Sequence, residues 1–515
     1  MRRFSEKIFL IIQPPTEENP TSLHQQLLQS LLEKGYSNVE IPLKILQTLY
    51  FVCQESNYQV TVTLVFKDSN WVMTAIEGGD TRNFHYGLAV DYGSTTIVMQ
   101  MIDMNSGKVI AQAKEMNGQI AYGTDILTRI TYTMEHPTHI DDLQIVTIHT
   151  LEHLMHQLTD ETGISAFDCS IMIISGNTTM IHFLLKLDAR TVFFSPYSPV
   201  TMNPGWIWGQ ELGLHFSGMI YIIPAASNYI GGDIISGLLN LDFLESDDIK
   251  LFFDIGTNGE LVIGNREWLM AGAGAAGPAL EGYISRYGLR AQPGAIDTVK
   301  IIGNEIFTTT IGQQKPIGIC CSGIIDLLAQ MRLHGSINIA GELNPDASPR
   351  IIYLQEDQEY AVVYANEQES ELGTPLYFSQ TDIYQYLDTK AAAFTMIDCL
   401  LHTAGCSETD ISHCYLSGAF TAHSDLESAI TIGLFPDLPR DSYTCIANTS
   451  LDGARILLLD RTRLKDIQYF CETMYCVQFA SIPDFLIRMQ AAKFIPHTDM
   501  QRYPSIQMKL DGISR

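Results

Sequence analysis

One short pattern occurs twice in this 515-residue chain and limits what it can fold into. Gly87-Leu88-Ala89-Val90-Asp91-Tyr92-Gly93-Ser94-Thr95-Thr96-Ile97-Val98-Met99 stands early in the chain. Leu251-Phe252-Phe253-Asp254-Ile255-Gly256-Thr257-Asn258-Gly259-Glu260-Leu261-Val262-Ile263 stands near its middle. Each reads as an apolar strand, then Asp-x-Gly-Ser/Thr, then a second apolar strand. Glycine in such a turn lets the backbone approach a phosphate with no Cβ in the way. Successive backbone N–H groups and the Ser/Thr hydroxyl then bind anionic oxygens. An aspartate at the strand end can hold Mg²⁺ directly or through water, because this cation prefers oxygen ligands and keeps part of its water. One copy is common in ordinary hairpins. Two copies in matching strand contexts predict equivalent hairpins that face each other across a cleft and grip a polyphosphate.

The duplicated pattern is that of the actin-like, sugar-kinase and Hsp70-like (ASKHA, ribonuclease H-like) ATPases, an α/β fold. A chain this long exceeds one core, so about two to four domains are expected. The formal charge of −27 argues against nucleic acid and anionic membranes as partners. It also means that an ATP site here must rely on local backbone dipoles and Mg²⁺. No run of about 18 apolar residues is present to span a membrane, and Ile8–Ile12 is too short for a signal peptide; a cytoplasmic location is expected. The ten cysteines form no Cys-x-x-Cys pair and no tight cluster, so no iron–sulfur cluster is expected on this chain, and most are read as small buried hydrophobes.

Residues 6–82 read as a small α+β unit. It comprises a strand Lys7–Gln13, a helix capped by Ser22 and Gln25 with Leu23, Leu27, Leu28, Leu31 and Leu32 on one face, and a second helix over Pro42–Glu55. Strands Val60–Phe66 and Trp71–Ile76 follow, joined at Asp68-Ser69-Asn70. Residues 83–515 read as the ATPase domain, with a first half at about 83–219 and a second at about 220–515. Within it the spacing predicts strand Val109–Glu115, helices at about 123–135 and 140–161, and strand Ser170–Ser175. The second half repeats the plan from Leu251 and ends with helices at 382–405 and 424–432 and a strand at 413–417; the tail from about 459 is mixed.

Other constellations are weaker. Cys414-Tyr415-Leu416-Ser417-Gly418-Ala419-Phe420 is an apolar strand entering a small-residue turn, which in this ATPase class admits adenosine. Ala271–Gly282 is the densest small-residue run, suited to close approach of a ligand or of another helix. Gly318–Asp326 is a small-residue turn entering a helix, and its vicinal Cys320 and Cys321 read as structural thiols. His149, Glu152, His153 and His156 share one helical face, but Ile148, Leu151, Met155 and Leu158 take the core side, so the histidines read as solvent-facing.

At this point the chain resembles the ATP-dependent reductive activators of corrinoid proteins, which return an oxidised Co(II) corrinoid to Co(I) in methyl-transfer systems. The resemblance covers about residues 6–500. It rests on Gly87–Thr96, Asn117-Gly118-Gln119, Gly123-Thr124-Asp125 through Arg129-Ile130, and Ser175-Gly176-Asn177-Thr178-Thr179-Met180. It continues with Gly231-Gly232-Asp233-Ile234, Asp254–Glu260, Ala275–Gly282 with Gly277 within it, Gly294-Ala295-Ile296, Ser417-Gly418-Ala419-Phe420 and Ile432–Pro436.

The resemblance implies a small middle domain at 6–82, an ATPase domain at 83–515, a homodimer and a corrinoid-protein partner. It implies ATP and Mg²⁺ as cofactors. Asp91, Gly93, Ser94, Thr95 and Thr96 would form the first phosphate loop, and Asp254, Gly256, Thr257, Asn258 and Gly259 the second. Gly418 and Ala419 would border adenosine. Asp91 or Asp254 would be the Mg²⁺ partner. Asp125, Asp233 and Glu260 are candidates for the water-activating base.

Family members usually carry an iron–sulfur domain at one end, whereas this sequence starts at the middle-type domain, so a separate ferredoxin-like donor is expected. The adenosine turn has fewer glycines than the family tends to show, and Tyr92 and Ser94 replace the commoner Ile and Thr. Closure driven by ATP binding and hydrolysis would make the uphill one-electron reduction possible. The alternatives are a nucleotide-gated module that binds a corrinoid protein without electron transfer, and a small-molecule kinase on the same fold.

Overall fold

A computed structural model describes residues 2–18, 20–256, 258–274, 284–418 and 424–513. The chain forms two compact units, Met1–Asp242 with Thr449–Thr473, and Phe243–Asn448 with Met474–Arg515.

The first unit opens with β1 (Ser5–Ile11), β2 (Val39–Glu40), β3 (Gln59–Lys67) and β4 (Asn70–Gly78), in the sheet order β1-β3-β4-β2. The turn predicted at Asp68-Ser69-Asn70 is a tight hairpin whose Asp68 and Ser69 both take positive φ, the geometry that matches strand twist in two-residue loops. Helices Leu23–Glu33 and Leu43–Glu55 flank this sheet, and the Ser22 hydroxyl accepts the Gln25 N–H as the capping pattern required. Leu27 and Leu31 are fully buried, whereas Leu32 is 55% exposed. The apolar face of this helix is therefore narrower than the leucine pattern predicted.

A second sheet in this unit contains β5 (Tyr86–Tyr92), β6 (Thr96–Asp103), β7 (Val109–Met116), β8 (Ile171–Gly176), β9 (Gly205–Trp208) and β10 (Met219–Ile222), ordered β7-β6-β5-β8-β10-β9. β5, β6 and β7 form an antiparallel meander, and β8 and β10 run parallel to β5. The helix His139–Thr162 buries Leu143, Leu151, Leu154, Met155 and Leu158 against Leu88, Val90, Met99 and Met172. Each such side chain is worth about 1.5–3 kcal/mol of transfer free energy. Helices Thr449–Leu459 and Leu464–Thr473 belong to this unit although they lie beyond residue 448.

The second unit starts with the meander β11 (Ile249–Ile255), β12 (Gly259–Gly264) and β13 (Leu269–Gly274). Two three-stranded sheets follow: β14 (Ala295–Ile302), β15 (Glu305–Thr310) and β16 (Gly318–Ile319), then β17 (Ile351–Leu354), β18 (Glu359–Ala365) and β19 (Leu376–Ser379). β20 (Ile411–Ser417), β21 (Tyr443–Ile446) and β22 (Met474–Val477) complete the main sheet, ordered β21-β20-β11-β12-β13-β22. The long helix Gln380–Ala404 packs on it and holds Lys390, whose ammonium is fully buried and donates to the carbonyls of Ala492, Phe494 and Pro496 at 2.6, 2.8 and 2.5 Å.

The two main sheets share one plan. Three antiparallel strands are followed on the same edge by two parallel ones, as β7-β6-β5-β8-β10 and as β13-β12-β11-β20-β21. This α/β duplication puts each Asp-x-Gly turn at the tip of a central hairpin. Cys53, Cys169, Cys320, Cys321, Cys399 and Cys414 are buried, in keeping with their reading as packing residues.

Candidate functional site

The first hairpin is fixed from behind. The Gly93 N–H donates to the Thr96 carbonyl at 3.1 Å, which closes the turn. A Cβ on Gly93 would lie 2.5 Å from that same oxygen, so the turn excludes any other residue. The carbonyls of the turn are each engaged by the protein behind it. Asn117 donates from its side chain to Gly93 O (2.9 Å) and from its backbone to Thr95 O (2.9 Å). Arg129 donates to Ser94 O at 2.7 Å and to Gly123 O at 2.9 Å. Arg129 is fully buried, and burial lowers its pKa from the ordinary guanidinium value. Among the described residues, none accepts the N–H of Ser94 or Thr95, and Ser94, Thr95 and Thr96 are half-exposed. Carbonyls tied inward with donors left outward make a local positive end suited to an anion.

This support gives physical roles to two motifs that the sequence singled out without one. Asn117-Gly118-Gln119 and the Gly123–Arg129 stretch are the scaffold of the first Asp-x-Gly turn. Gln119, also buried, donates to Thr147 Oγ1 (2.7 Å) and the Tyr92 hydroxyl (3.0 Å) and so locks the strand that carries Asp91. Burial raises the Tyr92 phenol above its usual range. Asp125 is the N-cap of Ile126–Glu135, its carboxylate accepting the Thr128 N–H at 2.9 Å. Asp233 lies in the first turn of the helix Gly232–Leu238 and its Oδ1 accepts the Ile234 N–H.

The second hairpin closes by the Gly256 N–H donating to Asn258 O at 2.9 Å. Its ladder runs to Ile255 opposite Gly259, whereas the first runs to Tyr92 opposite Ile97. The second turn is therefore one residue shorter. Asp254 is directly opposite Glu260 on the antiparallel ladder, and Glu260 is 8% exposed. Directly opposed residues on a ladder share a face with Cβ atoms about 4.5–5.5 Å apart. The two candidate acids thus form a carboxylate pair at the base of the turn.

A further equivalence had no sequence signal. β8 ends in Ser175-Gly176 and β20 ends at Ser417 with Gly418 next, and each serine is the parallel-ladder partner of its hairpin aspartate, Asp91 with Ser175 and Asp254 with Ser417. A Cβ on Gly176 would lie 2.9 Å from Tyr92 O, and one on Gly418 would lie 2.0 Å from Ile255 O, the residues that follow the two aspartates. Gly418, at φ +109°, also holds a backbone conformation that other residues rarely adopt. Spacing alone could not reveal this, because the two Ser-Gly pairs sit at different distances from their aspartates along the chain.

The structure therefore brings together Asp91, Gly93, Ser94, Thr95 and Thr96 in one hairpin. It brings together Asp254, Gly256, Asn258, Gly259 and Glu260 in the other, with Gly418 against the second. Thr257, Gly277 and Ala419 lie outside the described residues. Among the described residues no group of three or more His, Cys, Asp or Glu gathers as a metal cage. Two members of the histidine face turn to separate partners, His153 to Glu115 and Glu152 to His215. A single carboxylate at one turn and a pair at the other suit Mg²⁺ in their chemistry, since this cation takes one or two protein oxygens and fills the rest of its shell with phosphate and water.

Comparison with known proteins bears on what these hairpins serve. Three family models match successive stretches: the RACo linker region over residues 2–83, the RACo middle region over 86–246, and the C-terminal domain of RACo, the ASKHA domain, over 248–507. A corrinoid activation enzyme, RamQ, of Eubacterium limosum is 28% identical over 406 residues, covering 77% of this chain and 68% of that protein. A Co(II) methylated amine-specific corrinoid protein reductase of Methanosarcina barkeri is 22% identical over 418 residues, covering 74% of this chain and 71% of that protein. The solved structure of a reductive activator for a corrinoid, iron–sulfur protein superposes with a TM-score of 0.88 at 32% identity, over 98% of this chain and 81% of that one.

Proposed function

The chain belongs to the RACo family, and from that premise we propose that it is an ATP-hydrolysing reductive activator that supports the one-electron reduction of a Co(II) corrinoid protein to Co(I). What carries the reading is the ordered match of all three RACo regions over residues 2–507 on a chain whose halves each hold an intact Asp-x-Gly hairpin. The electron comes from a separate iron–sulfur protein of the ferredoxin type, and the working form is a homodimer. The hairpins of the two halves are the phosphate-binding elements. Gly418 lies at the edge of the adenosine-binding turn.

Asp91 or Asp254 would hold Mg²⁺, which would supply neutralisation of phosphate charge. The chain's own groups do the remainder. The Ser94 and Thr95 N–H groups bind phosphoryl oxygens, and positioning with electrostatic stabilisation accounts for most of the barrier reduction in phosphoryl transfer. Glu260, buried beside Asp254, takes the proton of the attacking water. Asp125 is committed to its helix cap, and Asp233 accepts the Ile234 N–H within its own helix.

The test is ATP hydrolysis by the purified protein, with and without a Co(II)-state corrinoid protein, for wild type, Asp254→Ala and Glu260→Gln. Turnover stimulated by the partner is expected. Glu260→Gln should reduce kcat by about 10²–10⁴-fold, the usual contribution of a general base, while ATP still binds. ATP binding without turnover in the wild type would instead establish a nucleotide-gated binding module.

A further inference from the structure

We propose that Ser450 is a positioning residue for Asp91 and acts through a relay of buried serine hydroxyls. Ser450 lies in the first turn of the helix Thr449–Leu459, far along the chain, yet its hydroxyl donates to Asp91 Oδ1 at 2.8 Å. Ser175, the ladder partner of Asp91, lies 2.9 Å from Ser450 Oγ and 3.0 Å from the Gly232 carbonyl. Ser450 is itself pinned. The Ser236 hydroxyl donates to its carbonyl at 2.7 Å. Gly453, one turn on, packs so closely that a Cβ there would fall 1.8 Å from Ser236 O. Ser175, Ser236 and Ser450 are all buried.

Proton counting explains why this arrangement is more than packing. Two hydroxyl protons, on Ser175 and Ser450, serve three contacts: Asp91, the Ser175–Ser450 contact and Gly232 O. A carboxylate is a stronger acceptor than a hydroxyl or an amide carbonyl. With Asp91 ionised, Ser450 therefore donates to Asp91, and the Ser175 proton is shared between the Gly232 carbonyl and the Ser450 oxygen. Ser450 thus holds one oxygen of Asp91 in place and orders the relay behind it.

This inference rests on Asp91 serving the nucleotide site, so the test separates the two. The affinity of full-length protein for a fluorescent ATP analogue is titrated against Mg²⁺ for wild type, Ser450→Ala, Ser450→Thr and Asp91→Asn, with thermal unfolding of each. Expected is a roughly tenfold rise in the Mg²⁺ needed for half-maximal affinity in Ser450→Ala, near wild-type behaviour in Ser450→Thr, and a larger loss in Asp91→Asn. Asp91→Asn impaired with Ser450→Ala unchanged would overturn the role of Ser450 alone. An unimpaired Asp91→Asn would overturn the reading of Asp91 and the inference with it. Equal losses in Ser450→Ala and Ser450→Thr, tracking a fall in melting temperature, would reduce Ser450 to packing and overturn the proposal.

Discussion

The two turn glycines look alike in sequence, but alanine should affect them in opposite ways. On Gly93 a Cβ would sit 2.5 Å from Thr96 O, against 3.0 Å as the closest that real Cβ atoms show. The carbonyl must move by at least about half an ångström. The Gly93 N–H to Thr96 O bond, already 3.1 Å, then passes out of hydrogen-bonding range. Losing that bond costs about 1 kcal/mol net and the overpacking about 1–3 kcal/mol, so Gly93→Ala should lose roughly 2–4 kcal/mol and distort the loop.

On Gly256 the nearest atom to a Cβ among the described residues is Asn258 O at 3.8 Å, an ordinary contact. Gly256→Ala should therefore leave folding within about 0.5 kcal/mol, as surface substitutions do. If phosphate approaches that backbone as proposed, however, the new methyl must displace it, at about 1–3 kcal/mol, or roughly 5–150-fold in ATP affinity. Thermal unfolding and equilibrium ATP binding on both variants decide the matter. Wild-type ATP affinity in Gly256→Ala would refute a phosphate contact at that turn. Wild-type stability in Gly93→Ala would refute the tight first turn.

Three further outcomes follow from buried polar groups. Arg129→Met removes the donors to Ser94 O and Gly123 O and should cost about 1–3 kcal/mol, the range for leaving a buried acceptor unsatisfied; a melting temperature within a degree of wild type would contradict it. His85, 2% exposed beside Ser5 and Ser170, has its pKa lowered by burial to about 3. Its contribution is thus complete above about pH 6.5 and falls as pH drops toward 3, by up to about 1.4 kcal/mol per unit. Melting temperature should therefore decline more steeply between pH 6.5 and 4 in wild type than in His85→Gln, and parallel curves would exclude this. Lys390→Met leaves three carbonyls between Ala492 and Pro496 without their donor. Limited proteolysis should then cut near that segment much faster than in wild type.

The hairpins, their glycines and aspartates and the meander strands were legible because the chemistry is local: strand, Asp-x-Gly, strand occupies about a dozen consecutive residues. The strand pairings beside them were not. That Ser175 lies next to Asp91 and Ser417 next to Asp254 depends on parallel pairing of strands far apart in sequence, where no turn fixes the register. The tail from about 459 read only as mixed, yet residues 449–473 return to the first unit, because helices Thr449–Leu459 and Leu464–Thr473 show no pattern that names the surface they cover. The strand Met219–Ile222, at the expected opening of the second half, pairs with β8 in the first sheet; an apolar run tells that a strand is buried, not which sheet it joins. Leu32 misled for the opposite reason, since a leucine at helical spacing can lie just past the edge of a narrow apolar stripe.

Where the halves differ is as informative as where they match. Both place a serine beside the aspartate on the parallel neighbour, but across the hairpin Asp91 faces Val98 while Asp254 faces Glu260. Like charges directly opposed on a ladder are unfavourable, and an acid pair kept at that position is one that a cation or a shared proton would stabilise. A lone aspartate facing valine, steadied by Ser450, suits steady binding instead. The duplication would then divide one task, with the first hairpin holding the nucleotide and the second promoting its hydrolysis. On this division Asp91→Asn weakens Mg²⁺-dependent ATP affinity, whereas Glu260→Gln keeps that affinity and loses turnover. If both variants lose affinity and rate in the same proportion, the halves act as equivalents and the acid pair has no separate role.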